Sequence, residues 1–212
     1  MKLEIKNLKK SFGKRTLFSF LNATFESGKI TAIMGKSGCG KTTLLNIIGQ
    51  IEPCDEGEII IDSIPIQTKS QARKLLKYDI SFIFQSYGLL ENESIEYNLS
   101  MSKRIKEMNP TKRLEIMKDA LNTVNLPNIL NQQAYSLSGG EQQRVAIARS
   151  IVKDAKIILA DEPTASIDED NAKIVLKLLR EMASQDKIVI LVTHSSEVAE
   201  CADQVIFMKE KY

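Results

Sequence analysis

The apolar run Ile30 to Met34 passes directly into GKSGCGKT, Gly35 to Thr42, and then into TTLLNIIG, a pattern of helical period. That order restricts what the chain can become. A buried strand, a glycine-rich turn and a helix start in series leave a helix N-terminus, with its unpaired N–H groups and positive dipole end, at the carboxyl end of a strand. The spacing is GxxxxGK[ST], so the backbone of Gly35, Lys36, Ser37, Gly38, Cys39 and Gly40 can turn its N–H groups inward on phosphates. Lys41 adds a point charge for the outer phosphates, the Thr42 hydroxyl is placed to ligate magnesium, and Thr43 follows in the first turn. Cys39 reads as a small filler inside the loop.

The rest of the composition narrows the class. The 212 residues suit one compact domain with an embedded subdomain, and 29 basic against 27 acidic side chains with 6% aromatics exclude the basic, stacking surface of a nucleic-acid binder. Residues 1–53 carry nine basic and three acidic side chains, a local excess that suits a polyanionic ligand. Cys39, Cys54 and Cys201 lie far apart without CxxC spacing, which speaks against a disulfide framework or a zinc site and fits a reducing cytosol. The start, MKLEIKNLKKSF, alternates as a strand and lacks a signal peptide's apolar block, so the chain is expected to be mature from Met1. No apolar run approaches the roughly 18–20 residues that span a bilayer. Any membrane role must be borrowed from a partner.

Four short apolar runs suit buried strands: Ile30 to Met34, Ile80 to Phe84, Ile157 to Ala160 and Ile188 to Val192. Apolar residues then recur with helical period at Ala172, Val175, Leu176, Leu179 and Met182, and again at Leu114, Met117, Leu121 and Val124 before Pro127. From about Tyr87 to Val152 no strand is expected. The pattern is an α/β core interrupted by a mostly helical insert and preceded by a small antiparallel piece in residues 1–30 and 57–66. A final strand is expected in QVIFMK from Gln204.

Two further stretches carry chemistry. KIILADEP ends an apolar strand in adjacent carboxylates, and because successive strand residues point oppositely, Asp161 can hold magnesium while Glu162 aims at an attacking water. This strand is expected to emerge beside the first loop. VILVTHSS sets His194, the single histidine, at the end of another core strand. LSGGEQQRVAIARSI, from Leu137, is a second glycine-rich helix start, with Ser138 before Gly139 and Gly140 but no lysine behind them.

Gly35 to Thr42, Gln85 after ISFIF, LSGGEQQR from Leu137, ILADEP from Ile158, Asp168 and His194 together resemble, in order and spacing, an ABC-type ATPase, the nucleotide-binding subunit of ABC transporters. The resemblance covers essentially the whole chain. It implies a P-loop NTPase fold with a RecA-like α/β core, an N-terminal antiparallel β subdomain and an inserted α-helical subdomain. Residues 1–86 and 153–212 would form the core and 87–152 the helical part of one domain. It implies ATP and Mg2+, with Phe12 resembling the aromatic that stacks on adenine. Gln85 looks like the residue that contacts magnesium and the lytic water, Glu162 like the catalytic glutamate, and His194 like the switch histidine. Ser138, Gly139, Gly140 and Glu141 resemble the signature that caps a nucleotide held by a second ATPase subunit, which would explain the missing lysine. ASID, Ala165 to Asp168, resembles the loop that crosses the dimer interface, with Ser-Ile in place of the commoner leucine form.

The implied partners are a second copy of the chain and a transmembrane permease, met by Gln85 to Asn98 with Gly88 as pivot and Leu89 and Leu90 exposed. The implied location is cytoplasmic, peripheral on the inner face of the membrane. FIFQSYGLLENESIEYNL resembles ATPases of macrolide-export, lipoprotein-release and bacteriocin-export type. The alternative is a non-transport ABC ATPase that regulates a membrane or cell-wall complex.

Overall fold

In the computed structural model, residues 1–208 are described. The four expected apolar runs lie in one parallel sheet with a fifth strand: β3 (Ile30–Met34), β6 (Ile80–Ile83), β7 (Ile157–Asp161), β8 (Ile188–Thr193) and β9 (Gln204–Phe207), ordered β6-β7-β8-β3-β9. Lys209, in the expected final strand, lies outside the described residues. Side chains alternate between the sheet's faces, and both faces are covered, which is why the runs read as continuous rather than alternating apolar. Ile158 and Ala160 of β7 join one core cluster, while Ile157 and Leu159 join the other.

On the second face, α1 (Lys41–Ile48) presents Leu44, Leu45, Ile47 and Ile48 to the sheet. The same cluster takes Leu3, Ile5 and Leu8 from a four-stranded antiparallel sheet, ordered β2-β1-β4-β5. Its strands are β1 (Lys2–Phe12), β2 (Arg15–Glu26), β4 (Glu56–Ile61) and β5 (Ile64–Pro65). Phe12 and Arg15 pair across the β1–β2 hairpin, which puts both near the phosphate loop.

The first face is packed by helices. Between β6 and β7 the chain forms α3 (Ile95–Ser100), α4 (Lys103–Lys106), α5 (Pro110–Thr123) and α6 (Gly139–Lys153), with one 3-10 turn at Ala134–Ser136. No strand occurs in this segment; Ser94 and Gln133 make an isolated antiparallel bridge. α7 (Glu169–Ser184) and α8 (Ser196–Glu200) complete the layer. α5 buries Met117, Ala120 and Leu121, but Leu114, expected on that face, is 40% exposed because it lies a turn before the packed stretch.

Helix α2 (Lys69–Tyr78) has no counterpart in the sequence reading, although Thr68 and Gln71 form a capping box at its start. It buries no residue fully, so its apolar signal is thin. As expected, β7 ends beside the phosphate loop, with Asp161 and Glu162 across the cleft from it, although in the sheet β8 lies between β7 and β3 and pairs with both. Among the described residues no helix is long and apolar enough to cross a membrane.

Candidate functional site

Local geometry at the phosphate loop follows from its glycines. Gly40, the residue before α1, has φ +98°, a left-handed conformation that a side chain would strain, and offers the helix no side-chain cap. The first turn of α1 also contains no acidic residue. Its N–H groups therefore face the cleft without a carboxylate to satisfy them, the condition under which a helix start takes an external anion. Lys41 is only 8% exposed, and its Nζ donates to the carbonyls of Gly35 at 2.7 Å and Lys36 at 3.2 Å. The loop thus pre-positions the ammonium instead of leaving it to search.

Two supports brace the loop. Arg15 Nη2 donates to the Gly38 carbonyl at 2.9 Å, tying the antiparallel sheet to the turn. Cys39 is buried, and a Cβ added at Gly35 would stand 2.6 Å from its Sγ and 2.8 Å from the Met208 carbonyl. The filler reading of Cys39 matches this packing, and Gly35 is small because that thiol and β9's end leave it no room.

Beyond the loop lies an open cleft of about 530 Å³. Ser37, Gly38, Gly40, Lys41, Thr42 and Thr43 line one side, and Phe12 stands at the rim, 52% exposed, with Lys10 Nζ 4.8 Å from its ring centroid. Asp161, Glu162, Gln85 and His194 line the other side. Each of these four follows or ends a parallel strand: Gln85 after β6, Asp161 and Glu162 at β7, His194 after β8. Gly35, Lys36 and Cys39 support the loop without lining the cleft.

Asp161 and Glu162 do diverge. Glu162 has φ +46°, its N–H donates to the Val192 carbonyl at 3.0 Å, and its Oε1 lies 2.7 Å from His194 Nδ1. The left-handed turn swings the second carboxylate away from the strand direction and towards β8's end. Asp161 is half-buried; desolvation is the largest influence on it and pushes its carboxyl above the usual range, against a hydrogen bond from Thr42 and the charge of Lys41. An acid whose ionised form is under-compensated in this way calls for a cation. Among the described residues no cluster of three or more His, Cys, Asp or Glu could hold a metal by itself. A hard cation that keeps waters and phosphate oxygens as ligands, as Mg2+ does, fits a donor set of Thr42, Asp161 and Gln85.

The second glycine-rich helix start lies outside this cleft. Ser138 caps α6: its hydroxyl accepts from the Glu141 N–H at 3.4 Å, and its own N–H and hydroxyl donate to Glu141 Oε2, each at 2.8 Å. The Ser138 N–H, then its hydroxyl, hold the Glu141 carboxyl below the usual range. A Cβ at Gly139 would stand 2.6 Å from Tyr87 Oη, and one at Gly140 2.2 Å from Asn171 Cγ. Asp168 caps α7, accepting from the Asn171 N–H at 2.9 Å and from Asn171 Nδ2 at 2.7 Å, and these donors hold its carboxyl low. Ser138 and Asp168 are both exposed. The structure therefore gathers the sequence-expected residues into two groups, the cleft and an exposed pair of helix starts.

Sequence reasoning named Gln85 and the ASID loop but missed the contacts that join these groups. Gln85 Nε2 lies 3.5 Å from Ser166 Oγ, and Tyr87 Oη donates to the Ser166 carbonyl at 3.3 Å. No local pattern marks them, because each contact spans about eighty positions. In the Gln85 to Asn98 segment Gly88 has φ +62° and Leu90 is 44% exposed, whereas Leu89, expected to be exposed, packs partly into the core, and Asn98 is buried, with its amide bonded to both polar groups of the Leu90 backbone.

Comparison with known proteins yields a consistent set. Residues 18–165 match the ABC transporter family model. YvrO of Bacillus subtilis, described as an uncharacterized ABC transporter ATP-binding protein, is 34% identical over 98% of this chain and 93% of its own length. The macrolide export ATP-binding/permease protein MacB of Pasteurella multocida is 35% identical over 98% of this chain. The chain spans about a third of the length of that relative, 33%. The dimeric structure of MJ0796, a bacterial ABC transporter cassette, superposes with a TM-score of 0.88 at 32% identity, covering 98% of this chain and 94% of that one. A post-hydrolysis dimer of the same cassette, bound to ADP and Pi, gives 0.87 at 32% identity over the same shares.

Proposed function

The chain belongs to the ABC transporter family, and from that membership we propose that it powers a membrane permease, as a dimer in which each copy completes the other's nucleotide site. It is an ATPase with the fold of P-loop nucleotide hydrolases. The observation that carries the dimer reading is the separation of the two helix starts. The cleft holds the phosphate loop, Asp161, Glu162, Gln85 and His194, but Ser138 and Asp168 are exposed on the same chain. Within one copy both stand outside the cleft that the phosphate loop opens on.

In this reading ATP places adenine against Phe12 and its phosphates on the N–H groups of Gly35 to Thr43, with Lys41 already held beside the outer phosphates. Thr42, Asp161 and Gln85 would hold Mg2+, which when bound would supply positive charge to the phosphate oxygens. Glu162 accepts the proton of the attacking water at its carboxylate, and His194 contacts the γ-phosphate. The 2.7 Å pairing of Glu162 Oε1 with His194 Nδ1 keeps the two groups together before nucleotide arrives. The Ser138 hydroxyl turns from Glu141 Oε2 to donate to the γ-phosphate of the second copy, while the Ser138 N–H keeps its bond to Glu141 and Gly139 leaves space for the approach. Asp168 meets the second copy beside them.

The permease meets the segment from Gln85 to Asn98, where Leu90 and Tyr97 are exposed. The relatives described as ATP-binding/permease proteins support that partner, and their macrolide-export description supports an outward cargo, here a peptide, bacteriocin or lipophilic compound. The chain then sits on the cytoplasmic face of the membrane.

The test uses Glu162→Gln, which cannot take the water's proton. With Mg2+ and ATP this variant should run as a dimer in size-exclusion chromatography, and adding Gly139→Asp should return it to a monomer that still binds ATP. A Gly139→Asp chain that dimerises like its parent removes the inter-subunit reading. Cysteines at Leu90 or Tyr97 that never crosslink to a membrane protein in cells remove the permease reading.

A further inference from the structure

Asn171, in the first turn of α7, meets three parts of the protein at once. Its Nδ2 donates to Asp168 Oδ2 at 2.7 Å and its N–H to Asp168 Oδ1 at 2.9 Å. Its Oδ1 accepts from Arg144 Nη1 of α6. Its amide carbon also lies where a Cβ on Gly140 would intrude to 2.2 Å. A guanidinium on one side requires an acceptor and a carboxylate on the other requires a donor, so the amide has one orientation and its isosteres fail on one side or the other.

The consequence is geometric. α6 begins at Gly139 and α7 at Glu169, thirty positions apart in sequence, yet this single side chain ties the two starts together. It also accounts for glycine at 140 from within the chain: the pinned amide occupies the space of a side chain there. Asn171 does not line the chain's own cleft.

We propose that Asn171 is a positioning residue of the inter-subunit site, setting the spacing between the Ser138 helix start and Asp168 so that both reach a second copy's nucleotide together. This rests on the dimer reading above. Asn171→Asp keeps shape and the acceptor towards Arg144 but sets a second carboxylate against Asp168, so the two starts separate. Gly140→Ala disturbs the same contact from the α6 side.

The experiment measures three quantities on the full chain. In the Glu162→Gln background with Mg2+ and ATP, Asn171→Asp should weaken the dimer at least tenfold by analytical ultracentrifugation, while ATP affinity of the dilute monomer stays within twofold. In the active background kcat should fall at least tenfold with KM little changed. Gly140→Ala should weaken the dimer too, and combining it with Asn171→Ala should cost no more than the worse single change, since both act on one contact. A fully structural role would lower thermal stability and monomer ATP affinity together, and that outcome overturns the proposal. So does an Asn171→Asp dimer as tight as its parent, or additivity of Gly140→Ala with Asn171→Ala. If Asn171→Asp does not fold, the Ala variant and the double change still decide it. Failure of the Glu162→Gln parent to dimerise with ATP removes the inter-subunit reading itself and this inference with it; a parent dimer indifferent to Asn171 removes this inference alone.

Discussion

Gly49, just after α1, offers a direct measure of how firmly the phosphate-loop helix is seated. A Cβ at that position would fall 2.0 Å from Phe82 Cζ, 2.6 Å from Phe82 Cε2 and 3.0 Å from Leu159 Cδ1. Phe82 cannot yield cheaply, because its ring is stacked on Phe84 with centroids 5.3 Å apart and planes 5° from parallel. Gly49 has φ −74°, which alanine adopts without strain. The substitution therefore gains about 0.4–1 kcal/mol through the unfolded chain and loses about 2–3 kcal/mol through overpacking. Gly49→Ala should be net destabilising by about 1–2.5 kcal/mol, a fall in melting temperature of roughly 2–10 °C for a domain of this size. Differential scanning calorimetry reads the shift. A steady-state ATPase assay reads its functional echo, since Phe82 lies on β6, the strand that leads to Gln85. In a Phe82→Leu background Gly49→Ala should cost about 1 kcal/mol less, the coupling expected of residues in contact. An unchanged or raised melting temperature in the single variant, or no coupling to Phe82, would refute the packing account.

Lys41→Ala should weaken ATP binding at least about a hundredfold, because a unit charge about 4 Å from a phosphate contributes on the order of 4 kcal/mol at an effective dielectric near 20; calorimetric titration giving parental affinity would contradict this. Gly139→Ala should lower ATPase activity about tenfold through the clash with Tyr87 Oη, the equivalent of roughly 1.4 kcal/mol of overpacking. Tyr87→Phe should recover much of that loss, and no recovery would locate glycine's necessity in the partner instead. Burial lowers the Lys153 pKa to about 8, so the folded chain releases this proton before the unfolded chain does. Stability attributable to Lys153 should accordingly rise between about pH 8 and 10.5, so Lys153→Met should flatten the gain in urea midpoint from pH 8 to 9.5; equal gains would refute it.

The parallel strands were legible because burial on both faces leaves unbroken apolar runs such as Ile188 to Val192. Their order was not, since nothing in KIILADEP says that β8 rather than β3 will be its neighbour; that choice is made by the crossovers. Helix α2 escaped notice because it buries no side chain fully. The cleft residues were readable where chemistry is packed into contiguous letters, as in GKSGCGKT. Ser166, Tyr87 and Asn171 were not, because each acts through contacts supplied by distant sequence. Asn171 is an ordinary polar residue on a helix until Gly140 and Arg144 are folded against it. Leu114 and Leu89 misled in the opposite sense: apolar period and apolar identity report a tendency to bury, and the packed surface decides which members of the set are covered.

The helical insert departs from β6 and returns at β7, and these are adjacent strands in the sheet. Seen from the sheet, some seventy residues of excursion start and finish at neighbouring rungs, roughly 4.8 Å apart. The cleft end of the core is thus indifferent to the insert's length: residues added or removed between the two rungs need not move Gln85 relative to Asp161.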